Sequence, residues 1–171
     1  MRDRLSAVAS PRELKIGVIS DTHGLLRPDA LAALRGCTRI IHAGDVGALE
    51  ILDALRAIAP VVAVRGNVDR DDCFDVLPES ATVDIDVAPG SRRHRIHVLH
   101  DIAQLDRDPV ADRLSAVIYG HSHVPRIEHR QGVLFLNPGS AGPRRFKLPI
   151  TLAHLTEKDG RLHAQLIELV K

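Results

Sequence analysis

The chain has 171 residues, 44% of them hydrophobic, with 23 basic against 22 acidic side chains and a formal net charge of +1. That length suits one domain with a sizeable core, while the even charge balance and 2% aromatic content supply neither the basic field nor the stacking platforms by which proteins hold polymeric nucleic acid. Nucleic acid is therefore set aside as a main partner. Cys37 and Cys73 are too few and too far apart for a disulfide framework or a CxxC motif, and suit small buried residues of a reduced protein.

Residues 1–13 read as a flexible leader, and 14–171 as a single domain. Arg2 and Arg4 are followed by Asp3, Ser6, Ser10 and Pro11, which interrupt the stretch before the apolar core of a signal peptide forms. The longest apolar run, Ile58 to Val64, is far short of the roughly 18 residues that a membrane span requires. A cytoplasmic protein without membrane association is expected.

Leu14 to Ser20 is rich in β-branched residues and runs into Asp21, as a buried strand does before a functional loop. Pro28 to Leu34 predicts a helix with proline at its start and Gly36 past its end. A second strand, Arg39 to Ala43, ends at Gly44-Asp45. Gly47 to Ala59 has Leu49, Leu52, Leu55 and Ile58 at helical spacing, with Pro60 as terminator, and Val61 to Val64 becomes a third strand ending at Gly66-Asn67. Three such β-loop-α units predict a largely parallel sheet with ligand loops at one edge.

Beyond Pro78 the pattern turns to alternation. Ala81 to Val87 and Arg95 to His100 form a hairpin about Pro89-Gly90, followed by a short helix from Gln104 to Leu114 and a strand from Ala116 to Tyr119. Strands at Arg126 to Glu128 and Val133 to Leu136 flank Gln131-Gly132. A last hairpin, Ile150 to Leu155 with Leu162 to Leu169, turns at Lys158-Asp159-Gly160.

Five short blocks end these strands: Asp21-Thr22-His23, Gly44-Asp45, Gly66-Asn67-Val68-Asp69, His100 and Gly120-His121-Ser122-His123. Asp21 and His23 share a face by their spacing of two, as do His121 and His123. Singly, most of these signals are weak: a loop aspartate capping a helix and a turn asparagine after glycine are common. Jointly they gather hard oxygen and imidazole ligands for two metal ions, the arrangement that phosphate ester hydrolysis uses. Asp45, with two carboxylate oxygens, can bridge both ions, and Asn67 adds a neutral oxygen. His42 reads equally as a residue that orients a ligand or as a satisfied core histidine. His97 faces away from His100, and His94, His129, His154 and His163 read as surface or strand-face residues.

The order DTH, GD, GNVD, H, GHSH followed by Asn137-Pro138-Gly139-Ser140 resembles the calcineurin-like metallophosphoesterase superfamily, and within it the small YfcE-type phosphodiesterases, which also resemble the scaffold subunit of retromer. The resemblance spans Lys15 to Leu155. It implies an α/β fold, a two-sheet β-sandwich flanked by helices with the metal site at the strand ends. It further implies that Asp21, His23, Asp45 and His123 bind one ion, while Asp45, Asn67, His100 and His121 bind the other. Manganese is the expected metal, with nickel, iron, zinc or magnesium as alternatives.

Two positions depart from the family pattern. Val68 stands where larger phosphatases have a histidine that assists the leaving group, and Asp101 follows His100 where glycine is usual. The activity implied is hydrolysis of small phosphodiesters, cyclic nucleotides among them, with Asp45 and Asn67 positioning phosphate and a water held between the ions. A phosphomonoesterase or a weakly active scaffold resembling the retromer subunit is the alternative. Arg65 and Asp69 are candidates to orient or contact phosphate. Arg144, Arg145 and Lys147 read either as phosphate-contacting groups or as a solvated basic loop. A homo-oligomer stays open.

Overall fold

In the computed structural model, residues 14–86 and 93–169 are described; the expected leader over residues 1–13 and the Pro89-Gly90 turn lie outside the described residues. The run that opens the described chain is buried at four successive positions, Gly17 to Ile19 included, which a strand satisfies only when both of its faces are covered. Strand β1 (Lys15–Ile19) accordingly sits at the centre of its sheet. It pairs in parallel with β2 (Arg39–His42), and β2 with β3 (Val61–Ala63). On its other side it pairs antiparallel with β9 (Thr151–Lys158), which pairs with β10 (Arg161–Glu168). The remaining strands are β4 (Ser80–Asp86), β5 (Arg93–Leu99), β6 (Ala116–Ile118), β7 (Arg126–Arg130) and β8 (Val133–Asn137), and they form a second sheet in the order β4-β5-β6-β8-β7. Both sheets are mixed, not largely parallel, because hairpin partners add antiparallel strands to each parallel trio.

Alternation along the strands decides how the sheets stack. Ile16, Val18 and Ile41 of one sheet meet Ile96, Val98, Ile118, Leu134 and Leu136 of the other in one buried cluster. The opposite row, Ile19 and Ile40, packs beneath α1 (Pro28–Leu34) and α2 (Leu49–Arg56) through Leu34, Leu52 and Leu55. Each such fully buried leucine contributes about 1.5–3 kcal/mol. Helix α2 starts two residues later than its spacing suggests, because Gly47 has φ +79° and is not helical. On the far face of the second sheet, Leu99, Val117, Tyr119 and Phe135 form a smaller cluster with Leu114.

The helix expected from Gln104 to Leu114 is absent. Ile102–Gln104 is one 3-10 turn, and a second single turn follows in which Asp108 Oδ1 caps the amides of Val110 and Ala111. Pro109 and the three aspartates 106, 108 and 112 favour such caps over a continuous helix. A further 3-10 turn, Asp72–Val76, buries Phe74 and leaves Cys73 exposed, contrary to the burial expected of that cysteine. His94 is buried, with Nδ1 3.2 Å from Ser115 Oγ, so it is not a surface residue. Among the described residues no helix is long and apolar enough to cross a membrane.

Register brings the functional loops together. Ile19, His42 and Ala63 stand side by side at the ends of β1, β2 and β3, and Val98, Ile118 and Leu136 do the same for β5, β6 and β8. Every block singled out in the sequence follows one of these ends.

Candidate metal centre

The first sheet contributes Asp21, His23, Asp45 and Asn67, and the second contributes His100, His121 and His123. His123 Nε2 stands 3.2 Å from Asp21 Oδ1 and 3.3 Å from His23 Nε2. Asp45 Oδ2 is 3.7 Å from His23 Nε2 and 3.3 Å from His100 Nε2. Asn67 Oδ1 lies 3.1 Å from His100 Nε2 and 3.0 Å from His121 Nδ1. Donor atoms about 2.1 Å from a common ion stand roughly 3 Å apart, so these separations are those of side chains aimed at shared points. Two overlapping groups have ligand atoms within 4.8 Å of one another: Asp21, His23 and His123, and Asp21, Asp45 and His100.

Buried polar atoms test whether a cation fits. Asp21 is fully buried; Ser20 Oγ donates to its Oδ2 at 2.6 Å, yet Oδ1, which faces the two histidines, has no hydrogen-bond partner among the described residues. A buried anionic oxygen without a donor costs several kcal/mol, and a divalent cation between Asp21, His23 and His123 would remove that cost. Around the second group, His100 Nδ1 donates to Ala43 O at 2.8 Å, which turns Nε2 toward Asp45 and Asn67. The Val68 amide donates to Asp45 Oδ1 at 3.0 Å and leaves Oδ2 facing both histidines.

Electrostatics follow this layout. Burial lowers the His23 pKa despite the carboxylates of Asp45 and Asp21 nearby. Burial also opposes charge on His100, but hydrogen bonds to Asp45 and Ala43 and the charges of Asp45 and Asp21 win and raise it. Asp45 is lowered in turn: burial works against its ionisation, and the hydrogen bonds from His100 and Val68 outweigh it. His42 is wholly buried and its pKa falls to about 4, foremost through desolvation. Its neutral ring accepts from the Gly44 amide at Nδ1 and donates from Nε2 to Thr22 Oγ1, which donates to Val46 O. His42 is a satisfied interior residue, and its bonds to Thr22 and Gly44 tie the DTH loop to the GD loop.

The backbone is strained at the ligands. Nine non-glycine residues among those described have positive φ, and five are Asp21, His23, Asp45, His121 and His123, at 45° to 67°. Aspartate and histidine tolerate this region better than most residues, at about 1–3 kcal/mol each. The glycines before Asn67 and His121 have a steric reason as well. A Cβ on Gly66 would lie 2.1 Å from Asp45 Oδ1, and one on Gly120 2.1 Å from Ser20 Oγ.

Other candidates fall elsewhere. Asp69 does not face the site as a phosphate contact: it is buried, and its carboxylate accepts the amides of Val46, Gly47 and Gly66 at 3.0, 2.9 and 2.8 Å. Arg65 pairs with Asp75 at 3.1 Å and Glu79 at 2.7 Å on the wall of a small depression beside Asn67. Asp101 caps Ala103 N at 2.9 Å, while His100 takes Ala43 as its Nδ1 partner. Arg144, Arg145 and Lys147 are exposed, and the Arg145 charge reaches His23. His97 lies outside the site, with Nδ1 2.9 Å from Thr82 Oγ1. The bracing residues Ser20, Thr22 and Asn137 carried no signal of this role. Asn137 Nδ2 donates to Gly120 O at 2.7 Å and Ser122 Oγ at 3.1 Å, and Ser140 Oγ donates to Asp21 O at 3.0 Å, so the NPGS block supports the loops from below.

A two-sheet sandwich with aspartate, asparagine and histidine converging at one edge defines a metal-dependent phosphoric ester hydrolase. Residues 14–160 match the model of the calcineurin-like phosphoesterase superfamily domain, and the chain belongs to that superfamily. It is similar to a probable metallophosphoesterase of Methanocaldococcus jannaschii, 34% identical over 90% of this chain and 81% of that protein. A phosphodiesterase of the same organism is 30% identical over 74% of this chain and 83% of its own length. Among solved structures, an archaeal phosphodiesterase superposes with a TM-score of 0.72 at 24% identity, covering 90% of this chain and 100% of that one.

Proposed function

We propose that Asp21, His23, Asp45 and His123 hold one divalent cation, that Asp45, Asn67, His100 and His121 hold a second, and that the pair hydrolyses small phosphodiesters, cyclic nucleotides among them. Manganese is the metal of this reading, and the mixed oxygen and imidazole set also suits nickel, iron, zinc or magnesium. The observation that carries it is the buried, donorless Asp21 Oδ1 with two imidazole nitrogens turned toward it. The 30% identical phosphodiesterase supports the diester preference.

Bound cations supply Lewis-acid stabilisation of phosphoryl charge and a water of lowered pKa. The chain supplies the rest. Two carboxylates against two divalent charges leave the centre net positive, which favours an anionic phosphate over a neutral ester. Val68, 44% exposed, offers no proton to a departing alcohol, so substrates with good leaving groups are favoured and diesters rank ahead of monoesters. Arg145, exposed and close enough for its charge to act on His23, supplies positive charge that attracts the substrate, with Arg144 beside it in the chain. The retained ligands at all seven positions speak against an inactive scaffold.

The test is a metal-stripped sample reloaded with manganese and assayed on bis(4-nitrophenyl) phosphate, 4-nitrophenyl phosphate, and 2′,3′- and 3′,5′-cyclic nucleotides. Diester hydrolysis is expected to exceed monoester hydrolysis, and Asp45→Asn to lower it by more than about 100-fold. A near-normal rate in that variant, or no hydrolysis at full metal occupancy, overturns the proposal.

A further inference from the structure

His121 and Asp101 stand between two depressions that differ in size and polarity. One, of about 180 Å³, is walled by Arg65, Glu79, Gln104 and Asn67. Its single guanidinium is already paired with two carboxylates, Asp75 and Glu79, so this side is polar and without spare positive charge. The other, of about 370 Å³, is walled by Ile102, Tyr119, Val124, Arg126 and Arg130. Val124 is 46% exposed. Arg126 and Arg130 both pair with Glu128, at 3.2 and 2.5 Å, and with Asp101 on the same wall two guanidiniums stand against two carboxylates, so this lobe is balanced in charge. Arg130 also lies 4.7 Å over the Phe135 ring.

A phosphodiester has two arms, and His121 and Asp101 line both depressions, so a phosphate held beside His121 can send one arm into each. From this geometry we infer that the site, read as a phosphodiesterase as above, selects unsymmetrical diesters with one ring-bearing arm and one compact arm. The larger lobe falls within the roughly 300–1,000 Å³ of small-molecule pockets, and the smaller falls below it. Apolar Ile102 and Val124 bury a planar ring, and the Arg126 guanidinium stacks on it or meets its polar edge. The smaller lobe admits a methyl or short hydroxyalkyl group hydrogen-bonded by Gln104. Val124 and Arg126 are the residues that set specificity.

Calorimetry on the manganese-loaded protein tests this with two unreactive diester mimics, methyl phenylphosphonate and methyl methylphosphonate. The ring-bearing mimic is expected to bind roughly tenfold more tightly, as burial of a ring in an apolar lobe provides. Val124→Trp, which fills the lobe from a half-exposed position, is expected to remove that preference. Arg126→Ala, which adds no bulk, is expected to reduce it about threefold. Equal affinities in the unaltered protein, or a preference unchanged in both variants, overturns the inference. The same loaded sample assayed on methyl 4-nitrophenyl phosphate separates the two readings: absence of turnover sinks the phosphodiesterase proposal, while the ring preference is still read from the binding constants.

Discussion

Asp69 offers a sharp test of how the centre is held. Its two oxygens accept three backbone amides, Val46 and Gly66 at Oδ2 and Gly47 at Oδ1, which tie the loop after β3 to the loop after β2. Hydrogen bonds to a carboxylate are worth about 1.5–3 kcal/mol each. Asp69→Asn keeps the shape but turns one oxygen into a donor; with the amide nitrogen at the Oδ1 position it loses the Gly47 bond and sets two donors face to face. The cost worked from the geometry is about 2–4 kcal/mol, and Asp69→Ala, which frees all three amides, costs about 4–6 kcal/mol. In a protein of this size 1 kcal/mol moves the melting temperature by about 2–4 °C, so the asparagine variant should melt roughly 5–15 °C lower. Denaturant unfolding of the metal-free protein checks the energies, and metal titration should show weakened binding because Asp45 lies between the two tethered segments. If both variants unfold within about 0.5 kcal/mol of the parent, the bracing role is refuted.

His42 makes stability depend on pH. Its folded pKa of about 4 lies below the ordinary 6.5, so its contribution is complete above pH 6.5 and drains as the pH falls toward 4, by up to about 3 kcal/mol at 1.36 kcal/mol per unit. Metal-free unfolding curves at pH 7 and pH 4.5 should differ less in His42→Asn than in the parent; an equal difference sinks the assignment. Gly66→Ala places a methyl against Asp45 Oδ1 and the Asp45 amide, at 2.1 and 2.3 Å, and should abolish tight metal binding while the far-ultraviolet spectrum stays that of the parent. Removal of metal with a chelator should lower the melting temperature and added manganese should restore it; a melting temperature indifferent to both would contradict cation binding between Asp21, His23 and His123.

The legible part of the site was its ligand set, because each block follows an apolar strand run and three of the five open on a glycine. Strand positions were equally plain from β-branched runs and their parity, as Ile96, Val98, Ile118 and Leu134 illustrate. Mixed pairing was hidden, since the placement of β9 beside β1 joins residues more than a hundred apart and leaves no local trace. The segment from Gln104 to Leu114 had apolar residues at spacings a helix allows, but its Pro109 broke the run and Asp108 satisfied the amides of Val110 and Ala111 itself. Asp69 looked like a substrate contact because it adjoins Asn67; its partners Val46 and Gly47 lie in another loop. The left-handed backbone at five ligands is likewise imposed by the surrounding loops.

The centre draws on both layers of the sandwich: Asp21, His23, Asp45 and Asn67 hang from one, His100, His121 and His123 from the other. Away from this rim the layers adhere through interlocking aliphatic side chains, which resist sliding apart but carry no directional clasp. At the rim, hydrogen bonds such as His100 Nδ1 to Ala43 O and Ser140 Oγ to Asp21 O already join the layers; cations bound as proposed would add a stronger rivet, and their departure would raise the frequency of local opening and of proteolysis. Scarcity of metal would then shorten the lifetime of the chain as well as silence it.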